Sequence, residues 1–308
     1  EKSNVIEVKF CGEEVFADVR VNSVILILNN KQKNDDNVTI VYENKGLNSF
    51  TKKRWLESKY YILEYEISNE IQFIVEKIES NTIKLEKIGD CIQGLTAYDS
   101  YRGQSQETIK NRAYHFKEKV DNTCGKWLDG KHLNRYFLNE GEEWLKYGDW
   151  LAAPREPKYF ESKRILFREI PGENKRIQAT YTEEKSYYGH SITPYILNNT
   201  EYTIHYILSI VNSKLISWYA SQKCSNYSKK TFPKLNPKDI KELPIKIITL
   251  EEQQLYKEKA ELMLNIKKIF HEKNLKFKSS IMRKFELNEL TKKTQDWHKL
   301  AYSDLVKE

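Results

Sequence analysis

The sequence predicts an α+β fold: an irregular, mixed β-rich domain with packed helices, preceded by a run of strands and followed by a helical C-terminal region. Three observations predict it. The first forty or so residues carry β-type apolar patterning. From Leu85 onward, short apolar stretches alternate with Gly, Pro and Asn punctuation. Two later stretches place apolar residues at helical spacing.

In chain order, "VIEVKF" (5–10), "VFADVRVNSVILILNNK" (15–31) and "NVTIVYE" (37–43) read as successive strands, separated by Gly12 and the polar run Asn29–Asn37. Residues 46–84 form a polar connection with scattered aromatics. The β-rich segment then runs through "CIQG", "WLDGKHLNRYFL", "YGDWLAAPREP" and "RILFREIPGENKRIQATY". One helix is expected from Thr200 to Ala220, with Ile204, Ile207, Leu208, Val211, Leu215 and Trp218 on its buried face. A second opens on a capping box, Thr249 followed three residues later by Glu252, in which each residue satisfies the other's free backbone N–H. Its expected packing face is Leu255, Leu262, Ile266, Ile269 and Phe270. A shorter helical patch is expected over Glu289–Val306. The expected boundaries are therefore 1–45, 46–84, 85–248 and 249–308.

The net charge is +7, and its distribution says more than its size. Residues 1–84 hold 12 Lys+Arg against 14 Asp+Glu, whereas residues 85–250 hold 26 against 20. No Asp or Glu occurs from Tyr202 to Lys238. A basic excess in the middle of the chain fits a polyanionic partner. Cys11, Cys91, Cys124 and Cys224 are widely spaced, which excludes the usual zinc frameworks and does not resemble a secreted disulfide scaffold. Reduced thiols in a cytoplasmic protein are the expectation. No apolar run approaches the ~20 residues of a membrane span. Glu1 opens directly on a strand-like pattern, so the chain is expected to begin inside a longer protein.

Catalytic motifs are scarce. A dinucleotide-binding G-x-G-x-x-G loop, a phosphate-cradling Walker loop and H-E-x-x-H are all absent. The six histidines stand apart and read as packing or surface residues. "ENK" at Glu173–Lys175 matches the three letters of a Mg-dependent nuclease motif, but it follows the turn Pro171-Gly172 and has no upstream Asp in a matching strand. Thr193-Pro194-Tyr195 lacks the Asn that would orient a flipped base's amine.

Six strings in order carry a resemblance: "QGLTAYDSYRGQ" (93–104), "IKNRAYHF" (109–116), "WLDGKHLNRY" (127–136), "YGDWLAAPREPKYFESKRILFREI" (147–170), "YILSIVNSKLISWY" (206–219) and "SKKTFPKLNPKDIKELPI" (228–245). Together they resemble the Taq-type C-terminal specificity, or target-recognition, domain of N6-adenine methyltransferases and type IIG restriction–modification enzymes. "EEVFADVRVNSVILILNNK" resembles the last strands of that family's methyltransferase sheet, and "KTQDWHKLAYSDLVKE" the helical region after the recognition domain. The resemblance implies double-stranded DNA as partner. It places S-adenosylmethionine binding, Mg-dependent cleavage and the catalytic motifs upstream of Glu1, with no cofactor in this chain.

Candidate DNA contacts are Arg102, Lys131, Arg135, Arg155, Arg164, Tyr227, Lys229 and Lys230. Arg155 sits in "APREP" and Arg164 precedes the strand "ILF"; a planar guanidinium grips guanine O6 and N7 or bridges phosphates. For Arg155 the alternative is an ion pair with Glu156, Glu161 or Glu169. Lys131 and Arg135 follow Gly130, on a turn suited to phosphate or merely solvated. Tyr101-Arg102-Gly103 reads as an exposed tip. Lys229 and Lys230 sit in the acid-free run with Tyr227 and Phe232. The leading expectation is sequence-specific duplex recognition. The alternatives are a half-specificity subunit of a type I system, a Mg nuclease using Glu173 and Lys175, and a structural protein with an incidental basic face.

Overall fold

A computed structural model describes residues 4–12, 15–18, 21, 23–30, 37–42, 46–51, 69–229 and 231–307. The fold is α+β, with small mixed sheets, several helices and a helical tail. It divides into two compact units, Glu1–Ser80 and Asn81–Glu308.

In the first unit, β1 (Asn4–Gly12) pairs antiparallel with β2 (Ser23–Asn29) and parallel with β3 (Asn37–Tyr42), which pairs antiparallel with β4 (Gly46–Thr51). The order β2-β1-β3-β4 leaves β2 on an edge. The expected middle strand from Val15 starts only at Ser23, because residues 15–18 make an isolated bridge and turn. β4 falls within the stretch expected as connection. α1 (Asn69–Glu79) ends this unit.

The second unit opens with β5 (Thr82–Lys84) and β6 (Gly89–Cys91), followed by α2 (Gln106–Lys110) and β7 (His115–Phe116). Next come β8 (Cys124–Leu128), β9 (Leu133–Asn134), β10 (Phe137–Leu138), β11 (Trp144–Lys146) and the one-turn α3 (Lys158–Glu161). The strands β12 (Arg164–Arg168), β13 (Ala179–Thr182), β14 (Ser186–Tyr188) and β15 (Ile192–Leu197) then follow. Two four-stranded sheets result, β14-β8-β11-β7 and β13-β12-β15-β6, with β9–β10 a separate hairpin. Leu128, Leu145, Tyr187 and Tyr188 from the first sheet share one core with Leu166 and Ile192 from the second, and Phe160 of α3 lies among them. β12 is central in its sheet, and Ile165, Leu166 and Phe167 are all fully buried. A strand covered on both faces reads as a continuous apolar run.

The expected single helix at 200–220 is two: α4 (Ile204–Val211) and α5 (Lys214–Lys223). Asn212 closes the first, and Ser213 caps the second by accepting the Ile216 N–H at 3.1 Å. The break resets the helical phase, so Ile216, Tyr219 and Ala220 are buried while Leu215 is exposed. α6 (Ser225–Ser228) and α7 (Pro237–Lys241) follow, and β16 (Pro244–Lys246) pairs with β5.

α8 (Leu250–Lys284) is 35 residues long and opens on the expected capping box, with Thr249 N–H donating to Glu252 Oε2 at 2.8 Å. Its inward face is not the expected one. Gln253 and Ala260 are buried against the domain, Gln253 accepting the Thr203 N–H and donating to the Glu201 carbonyl. Leu255 lies about 200° further round the helix, and Leu255, Leu262, Ile266, Ile269 and Phe270 are exposed. The expected terminal helix is two short turns, α9 (Lys292–Gln295) and α10 (Tyr302–Leu305). Between them the Trp297 ring packs with its centroid 4.1 Å from that of Phe277 in α8, and its indole N–H donates to Asn274 at 2.7 Å. No helix among the described residues is long and apolar enough to cross a membrane.

Candidate nucleic-acid interface

Three chain turns meet where β12 ends. The Glu169 N–H donates to the Ser191 carbonyl at 2.9 Å, and the Gly130 N–H donates to Ser191 Oγ at 3.0 Å. The 3-10 turn Gly130–His132 is locked by Asp129 and His132, whose Nδ1 accepts the Asp129 N–H at 2.9 Å. Lys131 is therefore an exposed cation on a rigid turn. The Arg168 N–H donates to the Gln178 carbonyl, and the Gln178 side chain accepts the Arg135 N–H at 3.0 Å.

Arg135 and Arg176 then converge. Their Nη2 groups donate to one acceptor, the carbonyl of Asn212 at the end of α4, at 3.0 and 2.7 Å. The Asn212 side chain is buried and holds Ala179 of β13, accepting its N–H at 3.1 Å and donating to its carbonyl at 2.9 Å. Burial, and then the neighbouring Arg176 charge, pull Arg135 down from the usual arginine range. The next cation, Lys175, donates to the Ser228 carbonyl at 2.7 Å, and its own carbonyl accepts the Tyr227 hydroxyl at 2.6 Å. Tyr227 thus anchors the segment carrying Lys229 against the turn at 173–176. Lys229 itself is exposed.

Arg102 and Arg155 occupy a second pair of loops. Asp99 caps the 3-10 turn Ser100–Arg102 and Gly103 leaves it at φ 83°, a backbone conformation suited to glycine. Gln104 pins this tip to the other loop by donating to the carbonyls of Ala97 and Trp150. Arg155 has φ 65°, and its carbonyl accepts the Tyr147 hydroxyl at 2.5 Å. His190, on the turn that touches Gly130, lies 2.9 Å from Thr96 Oγ1 and ties the two loop groups together. The acids weighed as partners for Arg155 are engaged elsewhere: Glu156 with Lys158, Glu161 with Lys185, and Glu169 with Lys234.

Hydrogen bonds thus join the segments that carry Lys131, Arg135 and Lys229, and the Thr96–His190 contact joins to them the loops that carry Arg102 and Arg155. Two candidates are corrected. Arg164 is fully buried, donating to Tyr188 Oη, Ser186 Oγ and the carbonyls of Ser162 and Glu184, so it is a core residue that no surface ligand reaches. Tyr227 is also fully buried and serves as an anchor. Lys230 lies outside the described residues. Sequence reasoning passed over Arg176 and Lys214. Arg176 adjoins the "ENK" triplet, where attention went to Glu173 and Lys175 as a nuclease pair.

That nuclease arrangement is not present. Glu173 is largely exposed and pairs with Lys299 at 3.5 Å, Lys175 is bound to Ser228, and Asn174 between them adopts a left-handed conformation in a 3-10 turn. Among the described residues no three His, Cys, Asp or Glu side chains come together to hold a metal. All four cysteines are free thiols, and burial pushes Cys91 and Cys224 up to about 12.

Residues 125–245 match the TaqI-like C-terminal specificity domain, and residues 249–308 match a domain of unknown function, DUF8810. A Methanocaldococcus jannaschii protein named a type II restriction enzyme and methyltransferase is 25% identical. Its alignment covers 76% of this chain but 20% of the relative, so the chain spans a fifth of the length of that curated protein. Among solved structures, the type IIL restriction–modification enzyme MmeI in complex with DNA is similar over 99% of this chain and 41% of its own, at 10% identity and a TM-score of 0.47. The type IIG restriction endonuclease BpuSI is similar over 84% of this chain and 38% of its own, at 11% identity and a TM-score of 0.42.

Proposed function

We propose that this chain, whose residues 125–245 match the TaqI-like C-terminal specificity domain, is the DNA-recognition part of a type IIG restriction–modification enzyme acting in the cytoplasm. The observation that carries the reading is the convergence, within that segment, of Arg135 and Arg176 on Asn212 and of Lys175 on the segment before Lys229, with Lys131 exposed on its own turn. Among the described residues none of them is in an ion pair with a carboxylate. Such cations neutralise phosphates and set the protein's position on the duplex. In this reading Arg102 and Arg155, on the loops joined to that region through Thr96 and His190, contact base edges, where a guanidinium bonds guanine O6 and N7 together. The target adenine would be flipped into a methyltransferase site upstream in the same protein, which would also supply S-adenosylmethionine and Mg.

The first unit supports a missing upstream part. Val24, Ile25, Leu26, Ile27 and Leu28 of β2 are five consecutive apolar residues, all exposed on an edge strand. An uncovered apolar edge of this kind invites pairing and burial. We assign β1 to β4 to the last strands of a methyltransferase sheet, 85–248 to recognition and 249–308 to the helical tail; β4 puts residues 46–51 in that sheet rather than in the connection expected over 46–84.

The test is fluorescence anisotropy of the whole chain with duplex DNA across a salt series. Binding should weaken steeply with salt, and Lys131→Gln and Lys229→Gln should each reduce the log–log slope by about 1. Absence of duplex binding at low salt would sink the reading. A second reading, a half-specificity subunit of a type I system, is favoured by the long α8 with its exposed Leu255, Leu262, Ile266 and Ile269. A solution dimer dissolved by Leu262→Lys in sedimentation equilibrium would support it.

A further inference from the structure

We infer that Arg135 and Arg176, together with Lys214 on the wall of the adjoining cavity, hold a phosphate group. The inference deepens the DNA-recognition reading and rests on it for the source of that phosphate. Three observations carry it.

The first is convergence without compensation. Two guanidiniums share the Asn212 carbonyl, and among the described residues no carboxylate pairs with either of them or with Lys214. Glu173, two and three residues from Lys175 and Arg176, is turned to Lys299 at 3.5 Å. Drawing two like charges to one acceptor is costly unless an anion joins them.

The second is unmet hydrogen-bonding capacity. The Nε atoms of both arginines are buried and have no partner among the described residues. Each side chain has its Nη2 engaged by one carbonyl, and Arg135 also meets Tyr136, while a guanidinium offers five N–H groups in a fork that matches phosphate oxygens. A single backbone carbonyl is a poor match to two such forks; a phosphate, with its several oxygens and negative charge, is a good one.

The third is space. A cavity of about 430 Å³ opens beside Arg176, lined also by Lys175, Lys214, Ser217, Trp218 and Ser221. Lys214, Ser217, Trp218 and Ser221 fall at i, i+3, i+4 and i+7 along α5, so one helix face forms the wall. Lys214 is exposed on the first turn of α5, where it is free to reach a bound anion. The Trp218 ring gives an apolar wall against which the sugar of a nucleotide can lie. Lys175 is pinned at both its carbonyl and its ammonium, which holds the rim of the cavity in place.

Two sources carry this chemistry, a phosphodiester of a DNA strand and a free phosphate. The full chain is titrated with labelled duplexes of several unrelated sequences, comparing wild type with Arg176→Gln, Arg135→Gln and Lys214→Gln. Loss of one charge-assisted contact should weaken binding about tenfold, equally for every sequence, and lower the salt slope by about 1. Lys214 is exposed, so its variant folds even if an arginine variant does not. In parallel, inorganic phosphate is added during thermal melting. If wild type binds DNA and all three variants bind within twofold of it at an unchanged slope, the phosphate site is overturned while the recognition reading stands. If wild type binds no DNA but phosphate raises its melting temperature and not that of Lys214→Gln, the site stands with a free phosphate as its source and the recognition reading falls. If wild type neither binds DNA nor responds to phosphate, both are overturned.

Discussion

Arg135 and Arg176 reach the same oxygen, the Asn212 carbonyl, at 3.0 and 2.7 Å, although Arg135 and Asn212 are 77 positions apart in the chain. Asn212 is the joint of this region, because its backbone receives the arginines while its side chain grips Ala179 in β13. Leucine at this position would keep the branched shape but strand the buried Ala179 N–H. Asn212→Leu is expected to lower unfolding free energy by about 2–4 kcal/mol, seen as a lower urea midpoint with an unchanged m-value. A midpoint equal to wild type would show that Ala179 finds another partner.

Arg164 is a cation held in the core rather than offered to a ligand. Arg164→Met removes the donor to four acceptors at once: Tyr188 Oη, Ser186 Oγ, and the carbonyls of Ser162 and Glu184. Unlike a surface arginine, it should cost about 3–5 kcal/mol of stability. The folded fraction should bind DNA with the wild-type salt slope. A lower slope at unchanged stability would return Arg164 to the interface.

His115 makes stability depend on pH in a defined window. Its Nδ1 lies 2.8 Å from the Tyr98 hydroxyl, which also accepts the Tyr114 N–H at 2.9 Å, so that hydroxyl's proton is free to go to the imidazole. Burial first, and the Arg112 charge second, hold His115 at about 4, against 6.5 for a free histidine. As pH falls below 6.5 the unfolded chain takes up a proton that the folded chain refuses. Stability from this residue is thus fully present above 6.5, lost between 6.5 and 4, and flat below. His205 is lowered as well, also chiefly by burial, and adds slope in the same direction. His115→Gln should therefore show a shallower, not absent, fall in urea midpoint across that window; an identical fall would contradict the assignment.

Some features were legible because local physics decides them. The Thr249–Glu252 capping box needs only residues three apart, and the structure reproduces it. The "RILFRE" stretch reads as part of a β-rich segment from its apolar residues alone, and it forms β12. The faces of α5 and α8 were not legible. A single Asn-Ser junction shifted the phase of one helix, and contacts with Thr203 and Glu201 turned the other so that its richer apolar stripe faces outward.

By itself the sequence determined the α+β class, the basic middle of the chain and the resemblance that names its recognition segment. These follow from periodicity, composition and short motifs, which act over a few residues. Only the tertiary structure decided which cations remain available. Lys234 is neutralised by Glu169, 65 positions away, and Arg164 is drawn into the core by groups some twenty residues further on. Arg135 and Arg176 are brought to one oxygen by the end of a helix that neither borders in sequence. Pairing and burial are long-range properties: the energy of a charge depends on what the fold places around it, and that is written in no stretch of the chain alone.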